Sequence, residues 1–128
     1  MKRKVLIVVS NYYEDIANDL LTSTKKFLNK KITLNIIKVP GVFEIPIIIS
    51  RNINRFDGFV AIGCVIKGKT AHFDLISKSV IDAIMNLSID SKKPVGNCIL
   101  TCFNYKQALA RKNKGKEAAI AINSILYK

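Results

Sequence analysis

The sequence contains a single histidine, His72, and the residues just before it suit phosphate binding and proton transfer. Imidazole is the one side chain here whose unperturbed pKa lies near neutrality, so His72 is the candidate general acid or base. Lys67, Lys69 and Thr70 supply two cations and a hydroxyl donor. A helix that begins after them would direct free N–H groups and the positive end of its dipole at a phosphate. The segment therefore predicts a site that binds phosphate and moves protons.

The same region matches, at residues 63–70, the pattern G-x-x-x-x-G-K-[ST] of a phosphate-cradling P-loop. That mechanism requires the whole segment to be a loop, whereas residues 64–66 continue an apolar strand that begins at Phe59. No other predicted strand ends in an aspartate that would act as a second magnesium ligand. A P-loop-like nucleotide-binding protein is therefore kept only as an alternative.

Three cysteines, Cys64, Cys98 and Cys102, each lie in an apolar stretch. Their odd number and their surroundings predict buried free thiols in a reducing compartment rather than a disulfide framework. A zinc site needs four good ligands, and only His72 would join the thiols. We therefore expect no bound metal.

Four apolar runs predict the strands of a sheet that is buried on both faces. They are residues 5–9, 32–39, 59–66 and 94–102. Helices are predicted at residues 16–28, 72–90, 104–111 and 113–127, and residues 47–53 are either a short helix or an extended apolar segment. The predicted apolar stripe of the 72–90 helix consists of Ile76, Val80, Ala83, Ile84 and Leu87.

Strands that alternate with helices predict an α/β fold, a three-layer αβα sandwich with a four-stranded parallel sheet. The expected strand order is the flavodoxin-like order 2-1-3-4. In such sheets ligands bind beyond the carboxyl ends of the strands, where the strand order reverses. Tyr12, after the first strand, and His72, after the third, are then expected to face one crevice.

The composition predicts one folded domain over residues 1–128, since 49% of the residues are apolar and 23% are charged. The net charge of +12 favours anionic partners such as phosphate substrates or nucleic acid. Seventeen of the 21 basic residues are Lys, however, and an AT-rich coding sequence explains most of this excess. The apolar strands offer no exposed aromatic platform for bases, so we expect no nucleic-acid partner.

The start of the chain imitates a secretory signal, because basic residues 2–4 precede an apolar run. That run is too short for a signal and far short of the ~18 to 20 residues of a membrane span. No small-residue cleavage site follows it. We expect a cytoplasmic protein without a membrane partner.

Three segments carry a family resemblance. They read PGVFEIP at residues 40–46, AIGCVIKGKTAHFD at residues 61–74 and NKGKEAA at residues 113–119. Together they resemble the lumazine synthase family, whose full name is 6,7-dimethyl-8-ribityllumazine synthase. The resemblance runs in order from about residue 5 to residue 126, and the combination of the first two motifs is highly specific.

The resemblance implies the penultimate step of riboflavin biosynthesis, a transferase reaction that uses no metal, flavin or nucleotide cofactor. In it, 5-amino-6-(D-ribitylamino)uracil condenses with 3,4-dihydroxy-2-butanone 4-phosphate to give 6,7-dimethyl-8-ribityllumazine. An imine forms, phosphate is eliminated, the ring closes and water is lost. An inactive scaffold of the same fold is a further alternative.

The resemblance also implies a role for each matching residue. His72 matches the catalytic histidine, and the phosphate-binding positions are Lys69, Thr70 and Arg111. The pyrimidine and ribityl positions are Tyr12, Phe43, Glu44, Val65, Ile66, Asn97 and Lys114. Tyr12 would stack on the ring and Glu44 would accept hydrogen bonds from hydroxyls. The part played by Lys114 is left open.

The implied assembly is a homopentamer in which a neighbouring subunit supplies Asn97, Arg111 and Lys114, and a 60-subunit shell of such pentamers is left open. The family usually has Asn, Arg, a small or acidic residue, Pro and an aromatic residue where this sequence has Tyr13, Lys67, Lys69, Ala71 and Asn97. The family's N-terminal arm has no counterpart before the first strand, and the connection after Arg111 is shorter. We therefore expect a weaker ring.

Overall fold

Four strands alternate with helices in residues 2–68 and 71–128, the part of the chain that the computed structural model describes. The strands are β1 (Lys4–Ser10), β2 (Thr33–Val39), β3 (Gly58–Ile66) and β4 (Val95–Cys102). The helices are α1 (Glu14–Phe27), α2 (Ile45–Arg51), α3 (His72–Ser91), α4 (Tyr105–Leu109) and α5 (Lys114–Leu126). One turn of 3₁₀ helix, Val42–Glu44, precedes α2. All strand pairs are parallel in the order β2-β1-β3-β4, which confirms the predicted α/β fold.

The centre of the sheet consists of β1 and β3, whose Val- and Ile-rich runs are buried on both faces. One face packs under α1 and α5, around Leu20 and Ile122. The other packs under α2 and α3, around Ile49 and Ile84. Helices on both faces hold β1 and β3 side by side, so their carboxyl ends meet at one edge of the sheet.

The prediction of burial on both faces is wrong for β2. Thr33, Asn35, Ile36 and Lys38 are exposed. The physical reason is coverage, because β2 packs mainly against β1 and little against any helix, whereas the other edge strand, β4, is mostly buried.

The longest helix, α3, is only partly buried. Val80 and Ile84 of its predicted stripe are buried, whereas Ile76, Ala83 and Leu87 are half-buried. Its opposite side carries exposed apolar residues, Leu75, Met85 and Ile89. Among the described residues, no helix has both the length and the apolar character needed to cross a membrane.

Residues 47–53, which the sequence predicts as either a short helix or an extended segment, are mostly helical. Pro46 lies in the first turn of α2. Proline is tolerated there because a backbone N–H at this position would have no carbonyl partner within the helix. At the other end, Nδ2 of Asn52 donates to the carbonyl of Ile48 at 2.8 Å. The helix directs Ile45 and Ile49 onto the sheet.

The P-loop-like pattern begins inside β3, as predicted. Gly63 pairs with Ile99 and Ile66 with Cys102 of β4, so residues 63–66 are strand rather than loop. Their ladder hydrogen bonds prevent this half of the pattern from wrapping a phosphate. Lys69 and Thr70 lie outside the described residues.

Candidate active site

A cleft of about 590 Å³ opens where β1 and β3 end, and we call it the strand-end cleft. Its walls come from the segments after β1 and β2, the end of β3 and the start of α3. The lining residues are Ser10, Tyr12, Tyr13, Gly41, Val42, Phe43, Cys64, Val65, Ile66, His72 and Ile76. Tyr12 and His72 therefore share one crevice, as the topology predicts.

One wall of the cleft depends on Gly63 of β3. A Cβ at Gly63 would lie 2.5 Å from Cγ1 of Val42 and 3.2 Å from Cβ of Ser10. Glycine therefore lets the 3₁₀ turn pack directly onto the strand. Gly63 thus serves the packing that positions Phe43, rather than the phosphate grip that its motif suggests.

The backbone of β3 also contributes to the cleft. Its pairing with β1 ends at Ile62, opposite Val9, while its pairing with β4 continues to Ile66. Past Ile62, backbone groups on the β1 side have no strand partner. Peptide N–H and C=O groups near Val65 and Ile66 can therefore bond the edge of a ring held in the cleft.

Aromatic side chains form the rim. Tyr12 is 73% exposed and Phe43 is 63% exposed, so both rings are open to a ligand. The Tyr12 ring meets Tyr13 edge-on, with 5.0 Å between centroids, and Tyr13 in turn lies 6.3 Å from Tyr105. Burial raises the pKa of Tyr13, and the neighbouring Tyr12 raises it further, so Tyr13 is a neutral phenol at physiological pH. These contacts restrain the Tyr12 ring while leaving most of its surface open.

His72 is the first residue of α3, and its exposed side chain lines the cleft. Ala71 precedes it at the N-cap and has only a methyl group, which cannot cap the helix. The first-turn N–H groups and the positive end of the dipole of this 20-residue helix therefore lie beside the cleft. An anionic group bound next to His72 would be stabilised there.

Glu44 is half-buried and stands beside the cleft rather than in its lining. A Cβ on Gly41 would lie 3.2 Å from Oε1 of Glu44. The carboxylate therefore approaches Gly41, which does line the cleft. A hydroxyl-bearing ligand that extends past Gly41 would meet an acceptor there.

The three cysteines are buried free thiols, as predicted. Burial raises the pKa of Cys64 to about 12, and the nearby Cys102 contributes in the same direction. Although Cys64 lines the cleft, such a thiol is protonated at neutral pH and is a poor nucleophile. Cys64 therefore offers the cleft neither a thiolate nucleophile nor a base.

A second cavity, of about 410 Å³, lies along β4 at the edge of the sheet, and we call it the edge hollow. Its lining residues are Ile81, Asn97, Ile99, Leu100, Thr101, Arg111, Asn113, Lys114 and Glu117. They include the three residues that the family resemblance assigns to a neighbouring subunit. The described linings of the two cavities have no residue in common.

The short connection between α4 and α5 keeps Arg111 in the edge hollow. The N–H of Arg111 donates to the carbonyl of Ala108 at 3.1 Å, and the N–H of Lys114 donates to that of Arg111 at 3.0 Å. The chain therefore keeps turning between the two helices, and residues three apart point the same way. Arg111 and Lys114 consequently face one cavity despite the shortened connection.

The start of α5 is fixed by Gly115. A Cβ there would lie 2.6 Å from the carbonyl oxygen of Leu20 and 2.8 Å from the backbone nitrogen of Thr24. Only a residue without a side chain allows α5 to approach α1 this closely. The contact sets the position of the adjacent Lys114.

Asn97 uses one end of its amide locally. Its Oδ1 accepts a hydrogen bond from the N–H of Ile99 at 3.0 Å. The group left for a ligand is therefore the Nδ2 donor. Where the family usually presents an aromatic ring, this hollow presents an amide.

Besides the predicted site residues, the cleft is lined by Ser10, Tyr13, Gly41, Val42, Cys64 and Ile76. Ser10 had one sequence signal, since it is the polar last residue of an apolar strand. The predicted phosphate-binding residues Lys69 and Thr70 fall outside the described part of the chain. The chemical roles of the predicted site residues stay predictions.

A family model described as 6,7-dimethyl-8-ribityllumazine synthase matches residues 2–127. Curated proteins of that name are similar along most of the chain. One from Agrobacterium fabrum is 41% identical over 133 residues, which cover 94% of this chain and 90% of that protein. One from Bartonella henselae is 42% identical, with 94% and 84% covered. One from Corynebacterium kroppenstedtii is 35% identical, with 92% and 79% covered.

Proposed function

This chain belongs to the 6,7-dimethyl-8-ribityllumazine synthase family, and we propose that its active site forms where the strand-end cleft of one subunit meets the edge hollow of the next. The chain is a transferase of riboflavin biosynthesis. It condenses 5-amino-6-(D-ribitylamino)uracil with 3,4-dihydroxy-2-butanone 4-phosphate to give 6,7-dimethyl-8-ribityllumazine, phosphate and water.

The observation that carries the proposal is the division of the required groups between two cavities. The cleft holds the imidazole of His72 and the rings of Tyr12 and Phe43, whereas the hollow holds the cations of Arg111 and Lys114. Condensing an amine with a phosphorylated ketone needs both sets of groups around the same pair of reactants. Since the hollow follows the edge strand β4, a second copy that packs along this edge would unite them.

The cleft suits the pyrimidine substrate. Tyr12 and Phe43 offer open aromatic surfaces, and the unpaired backbone at the end of β3 offers hydrogen bonds to the ring edge. Glu44, next to Gly41, would accept hydrogen bonds from the ribityl hydroxyls. These groups fix the ring and leave the reacting amine on the His72 side.

His72 would move the protons of the reaction. Its imidazole can accept the proton that the amine loses on attacking the ketone, and it can return a proton to an oxygen that leaves. The order of events is imine formation, elimination of phosphate, ring closure and loss of water. Each step needs proton transfer near neutral pH, which is the range in which imidazole works best.

Arg111 of the neighbouring subunit would bind the phosphate. A guanidinium grips two phosphate oxygens at once, and the first turn of α3 adds positive potential from the opposite wall. Lys69 and Thr70 are proposed as further phosphate ligands on the basis of the family motif. We propose Lys114 and Asn97 as the neighbour's contacts to the ring.

The proposed assembly is a homopentamer, and whether such pentamers form a 60-subunit shell is left open. Support comes from α3, whose Leu75, Met85 and Ile89 are 66%, 57% and 64% exposed on the side away from the core. The exposed Lys78–Asp82 ion pair lies between these apolar residues on the same side of the helix. Large exposed apolar side chains grouped on one side of a helix are typical of a surface that another chain covers. Each subunit would then supply its cleft to one site and its hollow to another.

We also propose that residues 1–128 act as one domain in the cytoplasm. A single sheet with helices on both faces supports the first statement. Three free thiols support the second, since a reducing compartment keeps thiols unpaired.

The test is complementation between two impaired variants, assayed with the butanone phosphate at about its wild-type KM, where the raised KM of Arg111→Ala lowers the rate. His72→Ala and Arg111→Ala proteins are dissociated, mixed in equal amounts and reassembled, and lumazine formation is followed by its absorbance and fluorescence. In mixed rings, roughly a quarter of the interfaces would pair an intact His72 with an intact Arg111. Activity should therefore return above that of either parent.

The control is each variant dissociated and reassembled alone, which should keep the low activity that it had before dissociation. Mixed rings are verified by mass spectrometry with one partner isotope-labelled. Verified mixed rings without recovered activity would mean that both residues serve the site of their own chain, and the shared-site proposal would then be wrong.

A further inference from the structure

The deepest polar side chain of the strand-end cleft is Ser10, which the mechanism above does not use. Ser10 is 2% exposed and its side chain lines the cleft at the end of β1. Its Oγ is buried and has no hydrogen-bond partner among the described residues. No described residue therefore uses the hydrogen-bonding capacity of this hydroxyl, and the strand-end cleft is the cavity next to it.

Packing explains why Ser10 lacks a partner. Gly63 brings the 3₁₀ turn close to β1, with Val42 and Ser10 both over the position of the absent side chain. The surrounding lining of Val42, Val65 and Ile76 is apolar. A buried hydroxyl without a partner destabilises the ligand-free protein, because folding removes its hydrogen bonds to water and supplies no others.

We propose that Oγ of Ser10 hydrogen-bonds the pyrimidine-bearing substrate and helps to select it. This inference rests on the proposed function, and it adds a specificity-determining residue to the same site. An uncharged hydroxyl among apolar side chains suits a neutral polar group better than a phosphate dianion. Ser10 also lies two residues from Tyr12, the stacking ring, and away from the cations of the edge hollow.

The experiment compares binding with stability in Ser10→Ala and in Ser10→Cys, which keeps the size of the side chain but is a weak hydrogen-bonding group. Calorimetry with 5-amino-6-(D-ribitylamino)uracil alone measures its Kd for the assembled protein. We expect both variants to raise this Kd about 2- to 10-fold, the scale of one neutral hydrogen bond. The KM for the butanone phosphate should not change.

The ligand-free Tm should stay the same or rise in Ser10→Ala, since the unpaired hydroxyl has been removed. Ser77→Ala is the matched control, because Oγ of Ser77 on α3 is also buried without a described partner but does not line the cleft. It should leave the Kd unchanged.

An unchanged Kd in Ser10→Ala would overturn the inference, as would a lower ligand-free Tm, which would show that the hydroxyl was already bonded. Equal weakening by Ser77→Ala would also overturn it. Turnover by the wild-type preparation is measured alongside. Lack of turnover contradicts the proposed function, whereas normal turnover with an unchanged Kd in Ser10→Ala contradicts this inference alone.

Discussion

The strand-end cleft and the edge hollow differ in the groups that they supply. The cleft offers aromatic and apolar side chains with one imidazole, whereas the hollow offers a guanidinium, an ammonium group and amides. The cleft lies at the centre of the sheet, where β1 and β3 end, and the hollow lies along the edge strand β4. Each cavity therefore holds about half of what the condensation requires.

The difference teaches that position in the sheet decides which part of the chemistry a cavity can hold. Central strands are buried on both faces, so their ends can present rings and backbone groups in a sheltered cleft. An edge strand keeps one side open, so long charged side chains such as Arg111 stay hydrated there. In the proposed shared site, the groups for proton transfer and ring binding lie on one subunit and the phosphate-binding guanidinium lies on the next.

Removal of the imidazole should have the largest effect. We expect His72→Ala to lower kcat by about 10²- to 10⁴-fold, the usual contribution of a positioned acid or base, with little change in KM. The slow uncatalysed condensation sets the floor of the measurement. Ser79→Ala, an exposed residue of the same helix that lines neither cavity, is the control. Wild-type turnover in His72→Ala would assign the base elsewhere.

A substitution in the edge hollow should weaken the binding of one substrate only. We expect Arg111→Ala to raise the KM for the butanone phosphate about 10- to 100-fold, because a charge-assisted hydrogen bond is lost. Pyrimidine binding should stay nearly the same. Arg111→Lys should recover part of the loss, since an ammonium group keeps the charge but not the two-pronged grip.

Lys112→Ala is the matched control, because this neighbouring cation is exposed and lines neither cavity. It should behave as wild type. If Arg111→Ala weakens both substrates equally, the residue supports the interface rather than the phosphate.

The smallest expected effect concerns the amide that replaces an aromatic ring in the hollow. Asn97→Phe should tighten pyrimidine binding by about 2- to 10-fold, the scale of one aromatic contact. The same change removes the acceptor for the N–H of Ile99, so the Tm should fall slightly. Asn97→Ala loses the acceptor without adding a ring and should not tighten binding. If Asn97→Phe also leaves the Kd unchanged, the hollow does not reach the pyrimidine.

The sequence by itself determined the order of the elements and the edge of the sheet at which Tyr12, Phe43 and His72 lie. Apolar runs and helical spacing are local signals, and parallel strands joined by helices allow few topologies. The motif around His72 and the segment around Phe43 both lie at the carboxyl-terminal edge of the sheet, where the strand-end cleft opens. The sequence did not assign residues 47–53 to a helix or a strand, because a short apolar run is compatible with both. Packing against the sheet makes most of this segment helical, as part of α2.

Only the tertiary structure decided what depends on contacts between distant segments. The exposure of β2 follows from how little helix packs against it, since the other edge strand, β4, is mostly buried. The separation of Arg111 and Lys114 from the cleft depends on how α5 docks onto α1 at Gly115. The unpaired hydroxyl of Ser10 depends on Gly63, more than fifty residues away, which draws the 3₁₀ turn over it. Hydrogen-bond partners and cavity walls are set by close packing in three dimensions, whereas periodicity along a chain reports only which side of each element faces the core.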